Sequence, residues 1–255
     1  MVDECHHLSA ASFELVARRS KARYVLGLSA TVARRDGHHP IIFMQCGPVR
    51  YRDSPKAQAA RRGFVHGVRL RETPYRLTDE QQAAVPTVPA MYALLARDDD
   101  RNAMIIGDVR AAIEAGRNPL VLTERRDHLD ALRGALAEVS CDLIVLRGGL
   151  SAAEHREAEL RLKASSGRPR IILATGRYLG EGFDEAILDT LFLALPIAWR
   201  GTLAQYVGRL HRAHDAKREV IVYDYVDASV PVLARMAVKR QVGYRALGYS
   251  IQSGS

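Results

Sequence analysis

The chain has 255 residues, 47% of them apolar, which is enough for one or two domains with packed cores. Its three cysteines (Cys5, Cys46 and Cys141) are odd in number and scattered, which argues against a disulfide framework and against a cysteine-based zinc site. No apolar run approaches the length that crosses a membrane, and the amino terminus has no signal-peptide pattern. These features predict a cytoplasmic protein in a reducing compartment, with no membrane partner.

The net charge is +8, from 37 lysines plus arginines against 29 aspartates plus glutamates. Only five of these cations are lysines, and the guanidinium group of arginine matches the geometry of phosphates and carboxylates. The excess therefore fits a polyanionic partner. A basic protein from a GC-rich genome would show the same preference for arginine, so charge alone leaves both explanations open.

The front of the chain predicts two strands and one helix. Val2-Asp3-Glu4 is typical of the end of a buried strand, the stretch LSAASFELVARRS predicts a helix, and RYVLGLSAT predicts a second strand. The stretches IIFMQCGPVRY and FVHGVRLRETPYRL follow less clearly. Residues 1–75 thus hold two or three strands, fewer than a doubly wound sheet needs to close a core. We expect them to be the end of a domain whose beginning is absent from this sequence.

From PLVLT onward, short apolar runs alternate with amphipathic stretches. The predicted strands are PLVLT, CDLIVLRG, RIILATG, TLFLALP and EVIVYDYV. The first helix between them carries Leu129, Leu132 and Leu136 on one face, and the next begins with a capping box of Ser151 and Glu154. Continuous apolar strands that alternate with helices predict an α/β fold, a parallel sheet with helices on both faces.

These patterns divide the chain into segments. The predicted domains are a first segment at residues 1–75, a proline-marked linker at 76–100, a complete α/β domain at 101–228, and a helix and tail at 229–255. The last helix is expected to pack back on the α/β domain. Its Lys239 and Arg240 are expected to be solvated.

The opening stretch VDECHH is typical of a Walker-B strand end. There Asp3 would hold the Mg²⁺ shell and Glu4 would position or deprotonate an attacking water. An acidic strand end beside two surface histidines explains the stretch equally well. A metal site built from Cys5, His6 and His7 is less favoured, because adjacent residues rarely converge on one ion and no later C-x-x-C completes it.

The stretch ATGRYLGEGFD is a predicted strand end, at Thr175, that runs into a glycine-rich loop. Gly180 and Gly182 allow the backbone to approach a ligand closely, and Asp184 can accept a hydrogen bond from a ribose hydroxyl. A plain connection from strand to helix would look similar. The shorter stretch GLSAT, a strand that ends in small hydroxylated residues, means little by itself.

The stretch QYVGRLHR carries the strongest pattern. Gln205, Arg209 and Arg212 stand at i, i+4 and i+7, so one helical face would project two guanidinium groups and an amide. Such a face can stabilise the charge that develops when a γ-phosphate is transferred. A solvated basic helix face is the alternative.

Taken in order, VDECHH, GLSAT, LVLTERRDHLDAL, ATGRYLGEGFD and QYVGRLHR resemble motifs II, III, IV, V and VI of the superfamily-2 helicases. The stretch ALPIAWRGTLAQYVGRLHR resembles the restriction-type, DEAD/DEAH bacterial members, which are similar to type III restriction subunits. The resemblance covers roughly residues 1–228. It implies two RecA-like domains that clamp ATP between them while single-stranded nucleic acid crosses their shared face. By this resemblance the first RecA-like domain is partial and the second is complete.

The resemblance also implies a role for individual residues. Asp3 would coordinate Mg²⁺ through water, and Glu4 would be the catalytic carboxylate. Coupling of the ATP site to the second domain would fall to His6, Ser29 and Thr31. The nucleotide would be contacted by Gly182, Asp184, Gln205, Arg209 and Arg212, the last two as arginine fingers. Nucleic acid would be contacted by Thr123 and Thr175. Glu181 stands where many relatives carry arginine, which favours DNA over RNA.

Relatives of this kind carry a P-loop, G-x-x-x-x-G-K-[ST], ahead of motif II. No Gly-Lys pair occurs in this sequence. The chain is therefore expected to be the carboxyl-terminal part of an ATP-dependent helicase or translocase, inactive alone and active only if an upstream chain supplies the P-loop. A binding module for nucleic acid or protein without hydrolysis, or an inactive gene fragment, is the alternative. A different nucleotide enzyme is disfavoured, because no G-x-G-x-x-G follows a strand.

Overall fold

The structure is a computed structural model. In it the chain forms two compact units, residues 1–54 and residues 55–255. The described residues are 1–3, 5, 15–16, 19–29, 39–61, 63–84, 87–139, 141–164, 169–176, 185–197, 200–212, 214 and 217–253. Among these residues, no helix is both long enough and apolar enough to cross a membrane.

The smaller unit pairs the first residues of the chain with the segment around Gly27. Val2 and Gly27 form a parallel bridge. The amide of Val2 donates to the carbonyl of Leu26 (2.7 Å), and the amide of Leu28 donates to the carbonyl of Val2 (2.9 Å). Helix α1 (His39–Cys46) packs beside this bridge through a small apolar cluster. The stretch RYVLGLSAT is thus paired in part, and the predicted helix before it lies largely outside the described residues.

The larger unit is built on a seven-stranded sheet. The strands are β1 (Val65–Glu72), β2 (Pro119–Thr123), β3 (Asp142–Leu146), β4 (Arg170–Thr175), β5 (Thr190–Leu193), β6 (Glu219–Val226) and β7 (Ser250–Ser253). Their order is β3-β4-β2-β5-β6-β1-β7, and every neighbouring pair is parallel. Strands β2, β4 and β5 are buried along their whole length, which explains their continuous apolar sequence. The predicted α/β fold with a parallel sheet is confirmed.

Helices cover both faces of this sheet. They are α2 (Pro55–Arg61), α3 (Asp79–Ala83), α4 (Val88–Ala96), α5 (Asp99–Glu114), α6 (Arg126–Leu136), α7 (Ala152–Lys163), α8 (Arg200–Gly208) and α9 (Pro231–Ala246). Helices α7, α8 and α9 pack on one face, and α5 and α6 pack on the other. The predicted apolar face of α6 is buried, and the predicted capping box of Ser151 and Glu154 begins α7.

Strand β1 lies between β6 and β7 in the larger unit. It pairs with β6 along its whole length, from Val65 opposite Glu219 to Glu72 opposite Val226. The sequence analysis placed this stretch in the first segment, because a strand's own pattern of side chains does not say which strand it joins. The two compact units meet at residue 55, whereas the sequence predicts a boundary at residue 75, and the predicted domain limits stay predictions.

A buried arginine links three separate segments at the carboxyl edge of the sheet. Arg101 on α5 has no exposed surface; its Nε donates to Asp227 Oδ1 (2.9 Å) and its Nη1 donates to the carbonyl of Ala194 (2.6 Å). The hydroxyl of Thr73 donates to the same Asp227 oxygen (2.7 Å). The ends of β1, β5 and β6 are thus fastened to the start of α5.

A second buried arginine corrects the sequence analysis. Arg240 on α9 is 3% exposed and donates through Nε and Nη2 to the carboxylate of Asp224 on β6 (2.8–3.0 Å). The expectation that Arg240 is solvated is wrong, because it stands in phase with the buried Met236 and Tyr244 on the inner face of α9. Lys239, one position earlier, is exposed as expected.

Candidate functional site

The carboxyl ends of β2 and β4 bring the two predicted threonines together. Thr123 and Thr175 are the last residues of their strands and stand opposite each other in the parallel register. The amide of Gly176 donates to the carbonyl of Thr123 (3.1 Å), which extends the pairing one residue beyond β4. Loops at the carboxyl edge of a parallel sheet commonly build ligand sites. Both threonines lie at this edge, and both are buried.

The hydroxyl of Thr123 belongs to a buried chain of hydrogen bonds. Thr123 Oγ1 lies 2.9 Å from His128 Nδ1, and His128 Nε2 lies 2.9 Å from Asn102 Oδ1. Burial and, to a smaller degree, the charge of Arg101 lower the pKa of His128 to about 3, so the ring is neutral. The Asn102 amide nitrogen donates to the carbonyl of Ala96 (3.0 Å), which leaves Oδ1 to accept from Nε2–H.

It follows that His128 Nδ1 is the acceptor and that the Thr123 hydroxyl donates inward. In this arrangement the hydroxyl hydrogen of Thr123 is not available to a nucleic-acid backbone. His128 and Asn102 were missed by the sequence analysis. A histidine five residues after a strand end has no sequence signal that separates a structural role from a functional one.

A second hydrogen bond crosses the same edge of the sheet. Tyr206 on α8 donates from its hydroxyl to Glu124 Oε1 (3.1 Å), and Glu124 directly follows β2. Burial, together with the charge and the hydrogen bond of Glu124, raises the pKa of Tyr206 above its ordinary value, so the phenol stays protonated. A Cβ atom on Gly176 would overlap both oxygens. Glycine at this position therefore lets the segments after β2 and β4 and helix α8 meet at one point.

The predicted helical face of Gln205, Arg209 and Arg212 is not formed. Helix α8 ends at Gly208, a 3-10 turn covers Arg209–His211, and Arg212 has extended backbone angles (φ −67°, ψ 135°). The i+4 and i+7 positions of an α-helix therefore do not apply to the two arginines. Gln205 is exposed on α8, Arg209 is half-buried, and Arg212 is exposed.

The 3-10 turn is held by residues that the sequence analysis did not select. The buried ammonium of Lys217 donates to the carbonyls of Leu210 and Arg212, both at 2.9 Å, in place of the amides of a further helical turn. His211 Nε2 lies 2.7 Å from the hydroxyl of Tyr249, which stands between α9 and β7. Burial lowers the pKa of Lys217 to about 8, and the charge of Asp189 opposes that shift.

In the smaller unit, Asp3 and Ser29 lie just beyond the bridge of Val2 with Gly27. They stand at the carboxyl ends of two adjacent parallel segments, with Asp3 exposed and Ser29 half-buried. In the part of the chain that the structure describes, no group of three or more His, Cys, Asp or Glu side chains could hold a metal ion. The predicted site residues outside the described ranges are Glu4, His6, Thr31, Gly182 and Asp184.

Comparison with known proteins finds a family match at the start of the chain and helicase relatives along most of its length. Residues 1–34 match the family described as "Type III restriction enzyme, res subunit". The chain is 25% identical over 254 residues to the "Putative ATP-dependent RNA helicase L396" of Acanthamoeba polyphaga mimivirus, an alignment that covers 99% of this chain. The chain is a relative of the superfamily-2 helicases. The similarity runs over nearly its whole length, as the sequence analysis predicted.

Two further matches are a curated protein and a solved structure. The chain is 23% identical over 248 residues to the "DNA 3'-5' translocase XPB2" of Sulfurisphaera tokodaii, covering 82% of this chain and 54% of that protein. A structure of S. cerevisiae Dbp5 bound to RNA and ADP BeF3 covers 98% of this chain and 58% of that one, at TM-score 0.60 and 11% identity, which shows the fold alone. The chain spans about half the length of the curated relatives it matches, 47% for the mimivirus protein.

Proposed function

We propose that this chain is the motif II to motif VI portion of an ATP-dependent helicase or translocase. The larger unit is its complete second RecA-like domain, and the smaller unit is part of its first. The observation that carries the proposal is the meeting of the segments after β2 and β4 with helix α8 at one sheet edge, through Glu124, Gly176 and Tyr206. These segments are the ones that resemble motifs IV, V and VI. A single edge that gathers all three suits a site where nucleotide and nucleic acid are coupled.

In this function Arg209 and Arg212 act as arginine fingers, and Gln205 anchors the same segment beside the nucleotide. The support is the segment that carries both arginines: Lys217 donates to the carbonyls of Leu210 and Arg212, and Tyr249 contacts His211. Guanidinium groups in a fixed position stabilise the charge that develops on a transferred phosphoryl group. Gly182 and Asp184 are assigned to the nucleotide by their place in motif V.

The acidic strand end in the smaller unit is assigned to the metal and to the attacking water. The exposed carboxylate of Asp3, at the end of a parallel pair, suits a hard cation such as Mg²⁺ that keeps water in its shell. Glu4 is the catalytic carboxylate. His6, Ser29 and Thr31 couple this end to the second domain.

The nucleic-acid track is assigned to DNA. The support is Glu181, which stands where many relatives carry arginine, and the relative named a DNA translocase; the mimivirus relative is named an RNA helicase. Thr123 and Thr175 mark where the track meets the sheet edge. The inward hydroxyl of Thr123 assigns its contact to the backbone that follows it and not to its side chain.

ATP hydrolysis tests the proposal. Because the sequence has no Gly-Lys pair, we expect no measurable steady-state hydrolysis by this chain alone. Mixed with an amino-terminal segment that carries G-x-x-x-x-G-K-[ST], taken from one of the helicase relatives, it should hydrolyse ATP in a DNA-stimulated manner. Glu4→Gln should abolish that activity, and Arg209→Ala or Arg212→Ala should lower it by about 10³-fold or more.

The matched control is Arg218→Ala, which removes an exposed arginine outside the turn and should leave the rate unchanged. DNA-stimulated hydrolysis by the chain alone that Glu4→Gln abolishes would show that no P-loop from elsewhere is required. A mixture that stays inert although both polypeptides are folded and bound to each other would reject the enzymatic proposal. It would leave the chain as a binding module.

A further inference from the structure

Two helices packed together in the larger unit carry cations and no acidic residue. Helix α9 contains four cations and α2 contains two, and neither contains an aspartate or glutamate. They meet where Gly248, in the left-handed backbone conformation that follows α9, lies against Ala59 of α2. A basic surface composed of two helices results. Its exposed cations are Lys56, Arg61, Arg235, Lys239 and Arg245.

The exposed cations of this surface have no carboxylate partner among the described residues. Arg240, the remaining cation of α9, is the buried partner of Asp224 and does not belong to the surface. Some arginines elsewhere in the unit do form ion pairs, as Arg161 does with Asp142 and Arg117 does with Glu219. Uncompensated like charges on one face cost free energy, and a polyanion removes that cost.

The arrangement on α9 has an apolar centre with cations around it. Val238 and Val242 are 60% and 47% exposed and form the middle of the outer face. At 3.6 residues per turn, Lys239 and Arg245 lie on opposite sides of Val242, and Arg235 stands two turns before it. From Arg235 to Arg245 the helix rises about 15 Å. A convex ridge with cations on both flanks matches a groove with a row of phosphates on either side.

We propose that the basic surface of α9 and α2 binds the phosphate backbone of duplex DNA, independently of the nucleotide site. A duplex is favoured over a single strand because neither helix exposes an aromatic ring on which bases could stack; the one aromatic of the two helices, Tyr244, is buried. The width of an α-helix matches the major groove. Two exposed valines form too small an apolar centre for a protein interface, which depends on large buried anchors.

Fluorescence anisotropy with a short labelled duplex tests the proposal on the whole chain without nucleotide. The test variant is Arg235→Gln/Lys239→Gln/Arg245→Gln. The control is Arg133→Gln/Lys163→Gln/Arg218→Gln, which removes the same charge from exposed positions outside the basic surface. Between about 50 and 200 mM salt, the test variant should bind about tenfold or more weakly, and its slope of log affinity against log salt should be shallower by about 2–3. The control should keep the wild-type slope.

The outcomes separate the explanations. Equal losses in test and control variants would show that net charge alone attracts DNA and would overturn the proposal, as would a test variant that binds like wild type. A loss confined to a single-stranded probe would replace the duplex with a single strand. Lys56→Gln/Arg61→Gln on α2 gives an independent second variant if the first does not fold. Since no nucleotide is present, failure here says nothing about hydrolysis, and inert hydrolysis says nothing about this surface.

Discussion

The ends of β2 and β4 and the turn after α8 belong to the same candidate site but are positioned in different ways. Thr123 and Thr175 are placed by strand register, and their closest contacts come from residues on the neighbouring strand or a few positions away. The turn of Arg209–His211 is placed by Lys217 and by Tyr249, which follows 38 positions after His211. Strand ends are therefore fixed by the sheet, whereas the arginine turn is fixed by side chains from outside the motif.

This difference has a physical consequence. A strand end inherits the rigidity of a fully buried sheet, so a substitution there must disturb the core before it moves the site. A turn held by a few side chains can shift when any one of them changes. We expect the remote supports of α8 and its turn to be the sensitive points of this site, and the following predictions compare them with the sheet edge.

The largest expected effect comes from Arg240 on α9. Its side chain pairs with Asp224 and also donates to the carbonyl of Ile197 (3.4 Å), which lies on the approach to α8. Arg240→Ala leaves a buried carboxylate without its partner, so the free energy of unfolding should fall by about 3–5 kcal/mol. Urea denaturation measures this free energy. Lys239→Ala is the matched control and should change the free energy of unfolding by about 0.5 kcal/mol or less.

Replacing both Arg240 and Asp224 by alanine should lower the free energy of unfolding by less than the sum of the two single substitutions, because the double variant leaves no buried charge without a partner. If Arg240→Ala and Lys239→Ala unfold at the same urea concentration, the buried pair does not support this part of the unit. Arg240 would then not count among the distant residues that fix the segment before α8.

The second effect tests the sheet edge itself, at Gly176. Alanine there would force Tyr206 and Glu124 apart and should lower the free energy of unfolding by about 1–3 kcal/mol through overpacking. Gly134→Ala in α6 is the control, because nothing lies within 4 Å of its added methyl group and alanine favours the helix. Thermal or urea unfolding should show opposite signs for the two variants. A neutral Gly176→Ala would mean that the two side chains separate without cost.

The smallest effect at neutral pH is expected for Lys217→Met, which should lower the free energy of unfolding by about 1 kcal/mol. The loss of two hydrogen bonds to carbonyls is partly offset by the removal of a buried charge. The pH dependence is more informative. In the folded state the pKa of Lys217 is about 8, below its ordinary value of 10.5. Between these values the unfolded chain binds more protons, so this group makes stability rise with pH.

Urea denaturation at about pH 7.5 and 10 measures that contribution. The increase in stability should be smaller in Lys217→Met than in wild type, whereas Lys163→Met, which removes an exposed lysine from α7, should keep the wild-type increase. Identical pH dependence in all three proteins would place Lys217 in water and remove one of the two supports of the arginine turn.

Much of the larger unit could be predicted because its information is local. Strands buried on both faces have continuous apolar sequences, as in β2, β4 and β5. The capping box at the start of α7 is recognisable from four consecutive residues. The strand-end positions of Thr123 and Thr175 follow from the same local patterns. Local sequence also predicted a helix through Arg212. That prediction was wrong: the helix gives way to a 3-10 turn, and the ammonium of Lys217 donates to the carbonyl of Arg212 that follows it.

The unpredicted features depend on pairs of residues far apart in the chain. The burial of Arg240 could have been predicted, because it is in phase with Met236 and Tyr244 on a helix. Nothing in the sequence indicates that Asp224 is its partner. The partners of Arg101, at Asp227 and Ala194, lie 126 and 93 positions away. Such pairings require the register of the sheet, which sequence patterns do not specify.

The position of β1 has a consequence for synthesis on the ribosome. Arg69 of β1 donates to the hydroxyl of Tyr223 on β6, 154 positions later in the chain, and the other neighbour of β1, β7, is made later still. At about 5–20 residues per second, a newly made β1 waits on the order of ten seconds or more before either neighbour exists. During that interval the unpaired amides of β1 bond to water, and the sheet closes only after translation has delivered β7.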